Sequence, residues 1–213
     1  MIDESEHRDH LVATARRLAD RGLSPGGSGS LARRLDDRML VTPTGSSFAR
    51  LRAEELALVP LDGPPPTTGP RPSKEAGLHR AVFAARPEAT AVVHLHAPST
   101  VAVSCLDPRA GAPDGTGPIP PLTPYQLMRL GPLPTAPYAP PGSPELAAAV
   151  GELAASADVL LLANHGSVAF AADLDRAADL AEELEAAARL HLTLVGLEHR
   201  RLTAEQAAAL RGR

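Results

Sequence analysis

The sequence predicts an α/β fold built on a mixed or mostly antiparallel sheet. Three observations carry that expectation. Segments with helical spacing of apolar residues alternate with short apolar runs of strand length. The stretch "DVLLLANHGSVAFA" (158–171) reads as two strands about a tight turn at His165–Gly166. Neighbouring strands are therefore antiparallel there, with no crossover helix between them. At 213 residues, 44% hydrophobic and 22% charged, the chain fits a single domain over residues 1–213.

Leu11, Ala15, Leu18 and Ala19 share one face of a helix expected from about Glu4 to Arg21. Gly22 stands where a helix end accepts a left-handed residue. Ser24 to Ser30, "SPGGSGS", is a turn. "RMLVTPTG" (38–45) is a strand entering a turn at Pro43–Gly45, and "ELALVPLDG" (55–63) is a strand ended by Asp62–Gly63. A Pro/Gly-rich loop, Pro64 to Pro72, follows.

The next helix is expected from Ser73 as N-cap to Ala85, stopped before Arg86–Pro87. "ATAVVHLHA" (89–97) is a buried strand, Ser99 to Leu106 a short helix, and Pro108 to Pro141 a proline-dense crossing around "LTPYQLMRL". Ser143 and Pro144 open a helix to about Ala155. Leu174 to about Leu197 is a long Ala/Leu/Glu helix, and Thr203 with Gln206 forms a capping box before a last short helix.

Composition narrows the function classes. The net charge of -4 points to neither a nucleic-acid nor an anionic-membrane partner. No apolar run approaches the roughly 18 residues of a membrane span, and no basic-then-apolar leader opens the chain. The single Cys105 excludes an intrachain disulfide framework and suits a reducing compartment, so a cytoplasmic location is expected. Its expected role is that of a small buried residue. Only 2% of residues are aromatic, so the core rests on Ala, Val and Leu, and subunit association is expected to add stability.

Three of the eight histidines stand apart. His94, His96 and His165 each close an apolar strand, where an imidazole must find a partner or cost free energy. A lone histidine of this kind is ordinarily a hydrogen-bonded core residue. Two on one face of a strand at i and i+2 are not so easily satisfied. With a third, they make a divalent metal site with open positions, as in catalytic zinc centres. His7, His10, His79, His191 and His199 lie on polar or helical stretches and are assigned no metal role. Other H-x-H patterns fit less well: Glu88 stands where a cupin has Gly, and Pro98 where a binuclear hydrolase has Asp.

"PSKE" (72–75) places Glu75 in the expected first helical turn, where a carboxylate complements the helix dipole. Ser73, Lys74 and the free N–H groups of that turn can hold an anion. The turns Gly26–Ser30 and Thr42–Ser46 add further donors. Singly, such turns are usually just turns. Three beside a metal strand point to a phosphorylated substrate.

In order, "GGSGS", "TPTG" (42–45), "SKE" (73–75), "HLH" (94–96) and "NHG" (164–166) resemble the motifs of the class II aldolase/adducin family. The resemblance spans the chain from the first helix to the long Ala/Leu/Glu helix. It implies an αβα arrangement about a central, mostly antiparallel sheet, and a homotetramer with active sites at subunit interfaces. It further implies Zn2+, with Mn2+ or Co2+ as alternatives, held by His94, His96 and His165. Glu75 would be the catalytic carboxylate, and a metal ligand when substrate is absent. Phosphate would lie against the first turn, Thr44–Gly45 and Ser73–Lys74. Ser28 departs from the pattern, because the family has Asn there and the serine hydroxyl is shorter.

Finer features, "LTPY" (122–125), "YAPPG" (138–142) and Lys74 before Glu75, are similar to the family members that decarboxylate 3-oxo-tetronate 4-phosphates. That resemblance implies a lyase releasing CO2 and dihydroxyacetone phosphate in sugar-acid catabolism. Zinc would stabilise the enediolate left at C2–C3. Glu75, with a raised pKa, would protonate C2. Tyr125 would hold the leaving carboxylate or assist the proton transfer, from the same or the neighbouring subunit. Two alternatives stay open: a sugar-phosphate aldolase of the fuculose-phosphate type, and a noncatalytic adducin-like assembly module.

Overall fold

A computed structural model of the protein describes residues 3–106 and 117–210. In chain order its elements are α1 (Glu4–Asp20), β1 (Ser30–Leu35), β2 (Arg38–Val41), β3 (Ala57–Pro60), α2 (Ala76–Ala85), β4 (Ala91–Leu95) and α3 (Pro98–Ser104). There follow α4 (Pro124–Leu130), β5 (Thr135–Ala136), α5 (Pro144–Ala154), β6 (Val159–Leu162), β7 (Gly166–Ala171), α6 (Leu174–Leu194) and α7 (Ala204–Ala208). The strands form one sheet in the order β3-β2-β1-β4-β7-β6-β5. Neighbours are antiparallel except β5 and β6, which run parallel. The mixed, mostly antiparallel α/β sheet expected from the sequence is the observed one.

Alternation along the central strand β4 splits the core into two layers. Ala91, Val93 and Leu95 pack with Leu11, Leu18, Leu180 and Leu184 on the α1/α6 side. Val92 packs with Leu78, Val82, Phe83, Leu146 and Val150 on the α2/α5 side. The layers are therefore helix, sheet, helix. Every residue of β4 is buried, which its continuous apolar run requires. Burial of each such Val or Leu contributes about 1.5–3 kcal/mol.

Two of the caps read from sequence are present. Ser143 accepts from the Leu146 amide and Pro144 occupies N1. Thr203 and Gln206 form both halves of a capping box. The structure also corrects the reading in four places. Strand β1, "SLARRL", begins at Ser30, which the sequence places in a turn, and its other residues carry no expected element, because two arginines hide their pattern. Leu31 and Ala32 are buried, while Arg34 reaches past the sheet to the Phe83 and Pro87 carbonyls and lies over the Phe83 ring.

The short β5 lies inside the proline-dense crossing, of which residues 107–116 fall outside the described residues. Helix α2 starts at Ala76, not beside Ser73. Its approach is extended, because Pro72 bridges Pro43 and the Ser73 amide donates to the Thr42 carbonyl. Cys105 is exposed rather than buried, since Ser104 takes the inward position at the end of α3.

Candidate metal centre

His94 is the penultimate residue of β4 and is fully buried on the α2/α5 face. Its Nδ1 lies 2.8 Å from the Ser167 carbonyl of β7. That nitrogen must carry the proton it donates, which leaves the Nε2 lone pair facing inward. His96 lies just past the strand end, so its approach to His94 depends on how the chain leaves the sheet and not on regular pleating. His165 sits in the β6–β7 turn, behind Asn164 in the left-handed region at φ 56°. Glu75, the N-cap residue of α2, arrives from the facing helical layer.

The four side chains converge. Glu75 Oε2 is 3.0 Å from His94 Nε2, and Glu75 Oε1 is 3.4 Å from His165 Nε2. The Nε2 atoms of His94 and His96 are 3.0 Å apart. One potential ligand atom from each residue lies within 4.8 Å of all the others. Two glycines permit this approach. A Cβ on Gly29, itself at φ 84°, would stand 2.8 Å from the His94 carbonyl. A Cβ on Gly166 would overlap the Leu95 carbonyl and come 3.3 Å from the His96 ring.

The electrostatics fit a cation. Burial lowers the basicity of His96, and the charges of His94, His165 and Lys74 lower it further, to about 4. His165 is lowered by burial and by the charges of His94 and Lys74, with Glu75 opposing. Neutral imidazoles are what a metal binds. Burial by itself raises the Glu75 pKa. The hydrogen bond and charge of His94, with the charges of His165 and His79, outweigh burial and hold it at about 2. The raised value expected from sequence is thus reversed in this arrangement, because the imidazoles contact the carboxylate directly. Both ring nitrogens of His165 and Glu75 Oε1 are buried without a hydrogen-bond partner. Such groups are costly unless something polar or cationic lies between them. Three imidazoles and a carboxylate suit zinc, and also manganese or cobalt.

The three expected anion-binding turns are neighbours. The Thr44 amide donates to the Arg71 carbonyl, which ties the Thr44–Gly45 turn to the segment leading into Ser73 and Lys74. A Cβ on Gly27 would lie 3.3 Å from the Ser46 carbonyl, so the first turn abuts the second. Ser28 turns its hydroxyl back onto the Pro25 carbonyl. Ser73 is buried and its Oγ accepts from the Glu75 amide. Lys74 and Thr44 are exposed.

Tyr125 is not brought to the cluster within this chain. It is 58% exposed on the first turn of α4. With Arg21, Arg129, Asp179 and Glu182 it lines a separate cavity of about 570 Å³.

Two buried polar residues were not singled out by sequence. His79 is fully buried, with Nε2 2.8 Å from Ser30 Oγ. Ser30 pairs with His94 across β1 and β4, so His79 stands directly behind the cluster. Its i+4 spacing from Glu75 on one helix was the available signal. Glu185, buried on α6, left none, since it sits among other glutamates of a surface helix.

Residues 9–192 match the family described as Class II Aldolase and Adducin N-terminal domain. The chain is 43% identical over 207 residues to a 3-oxo-tetronate 4-phosphate decarboxylase of Haemophilus influenzae, covering 97% of this chain and 96% of that protein. It is 34% identical over 189 residues to an L-fuculose phosphate aldolase of Escherichia coli, covering 88% of this chain and 83% of that one. The crystal structure of YgbL from Klebsiella pneumoniae superposes with a TM-score of 0.90 at 40% identity, over 99% of this chain and all of that one.

Proposed function

We propose a function for this chain from one premise: it belongs to the class II aldolase/adducin family. Within that family we infer a lyase that decarboxylates a 3-oxo-tetronate 4-phosphate to dihydroxyacetone phosphate and CO2. The observation that carries the reading is the convergence of Glu75, His94, His96 and His165 in a chain with near full-length likeness to a decarboxylase of that name.

The substrate class is a β-keto acid with a phosphate at its far end. Breaking C1–C2 releases CO2 and leaves its electron pair in a C2–C3 enediolate, which then takes a proton at C2. A divalent ion held by His94, His96 and His165, zinc in our reading, would supply Lewis-acid stabilisation of that charge. The Thr44–Gly45 turn, Ser73 and Lys74 hold the phosphate, which fixes the reacting carbons relative to the imidazoles. Ser28 contributes its backbone to the first turn rather than its hydroxyl, which faces Pro25.

Glu75 handles the proton. Against His94 it is an ionised carboxylate, pKa about 2, suited to being a ligand. Once substrate displaces it from the imidazoles, the lowering contacts go and the burial that raises its pKa remains. On displacement the carboxylate takes up a proton from solvent and becomes an acid able to deliver it to C2. Tyr125, exposed on its own subunit, would assist from a neighbouring copy in a homotetramer with interface active sites. The partner is a small phosphorylated sugar acid, in the cytoplasm. No helix among the described residues is long and apolar enough to cross a membrane.

Retro-aldol cleavage of a ketose 1-phosphate passes through the same enediolate, and the likeness to an L-fuculose phosphate aldolase makes that the second reading. Supplying zinc-loaded protein with 3-oxo-tetronate 4-phosphate tests the first. Equal amounts of CO2 and dihydroxyacetone phosphate are expected, and unconsumed substrate would refute it.

A further inference from the structure

Helix α3 begins two residues after His96 and ends beside the turn that carries His165. Its N-cap is Ala97, which has no side-chain oxygen to satisfy the free amides of the first turn. Those amides are met from 85 and 86 residues away. Glu185 Oε1 accepts from the Ser99 amide at 3.0 Å, and Oε2 accepts from the Thr100 amide and the Thr100 hydroxyl, each at 2.8 Å. Glu185 is 4% exposed, so the carboxylate is a buried, triply bonded pin between α6 and α3.

The other end of α3 is tied to the third imidazole. The Ser104 carbonyl accepts from the Asn164 amide at 3.0 Å, and Ser104 Oγ accepts from the His165 amide at 3.3 Å. Ser104 is itself 5% exposed. One short helix thus spans from the exit of His96 to the backbone of His165. Its ends are held by Glu185 and Ser104.

We propose that Glu185 is a positioning residue for the metal centre. By pinning α3 to α6 it sets the separation of the His96 and His165 imidazoles, although it lies outside the metal-ligand group. The inference rests on the metal reading of the site and not on which group leaves the substrate. His96 needs such a device because it lies beyond β4 and no sheet pairing fixes its backbone. His94, within the strand and bonded to Ser167, does not.

Glu185→Gln tests the pin. The amide oxygen can still accept at Thr100, but the NH2 group must then face the Ser99 amide, donor against donor. Thr100→Val removes the hydroxyl bond alone at constant shape, and it serves if Glu185→Gln does not fold. Cobalt(II) is titrated into metal-free wild type and variants without substrate. Affinity and the visible cobalt spectrum are read, alongside thermal unfolding of the metal-free chains. Loss of an outer partner is expected to weaken cobalt binding about 10-fold or more in Glu185→Gln, with an altered spectrum, and less in Thr100→Val. Unchanged affinity and spectrum with a lowered melting temperature would overturn the inference, because Glu185 would then serve stability only. A wild type that binds cobalt but releases no CO2 would overturn the decarboxylase reading alone.

Discussion

Acidification should unfold the metal-free protein early, and His79 supplies a calculable share. Its ring is 0% exposed. Burial, and then the His94 charge, lower its pKa from 6.5 to about 3, with Glu75 opposing. Between those values the unfolded chain binds a proton that the folded chain refuses. The stability from a neutral His79 is therefore complete above about pH 6.5 and declines as pH falls toward 3. Linkage puts the loss at about 2 kcal/mol by pH 5 and about 3 kcal/mol by pH 4. Glu75, with its depressed pKa of about 2, acts in the same direction below about pH 4.5. Against the 5–15 kcal/mol typical of a domain, these are large fractions. Urea unfolding of chelator-treated protein at pH 7, 5 and 4 measures the decline, and an NMR titration of the His79 ring assigns it. His79→Gln should be less stable at pH 7, having lost the imidazole bond to Ser30, yet flatter with pH. A His79 ring titrating near 6.5, or stability unchanged from pH 7 to 4, would refute the reasoning.

Glu75→Gln should retain bound metal but slow turnover by about 100-fold or more, since the amide cannot carry the proton; wild-type rates would remove Glu75 from the mechanism. His96→Ala should lose most of its metal by elemental analysis, because two imidazoles and water make a poor zinc site, and unchanged content would contradict the ligand set. Gly166→Ala should cost about 1–3 kcal/mol of stability and weaken metal binding, since its Cβ would overlap the Leu95 carbonyl beside His96. Chemical denaturation and chelator competition read the two effects, and wild-type values in both would refute the close approach.

Much of this site was legible in the sequence because its ligands are punctuated by local signals. An H-x-H after an apolar run and a His in a hairpin turn announce strand ends, and strand ends meet at one edge of a sheet. The class of fold followed from the same alternation. What stayed hidden depends on contacts distant along the chain. Strand β1 carries two arginines, and the head of Arg34 reaches past the sheet, so its pattern does not resemble a strand until Phe83 and Pro87 are in place. The start of α2 depends on Pro72 pairing with Pro43, and local capping preference favoured Ser73 instead. The Glu75 pKa depends on imidazoles brought from two other elements, so the raised value expected of a proton donor in a dry pocket has the wrong direction here. Glu185 has no local mark at all, since its partners lie 85 and 86 residues away and its neighbours Glu182 and Glu183 are half-buried glutamates of the same helix.

In the reading proposed above CO2, and not an aldehyde, is the group that leaves. One measurement bears on it most directly: kcat/KM of the zinc-loaded protein on 3-oxo-tetronate 4-phosphate against that on L-fuculose 1-phosphate, reading CO2 from the first and lactaldehyde from the second. Stoichiometric CO2 and a strong preference for the keto acid are expected, abolished by chelation and restored by zinc. Aldehyde release from the ketose phosphate, with no CO2 from the keto acid, would contradict it.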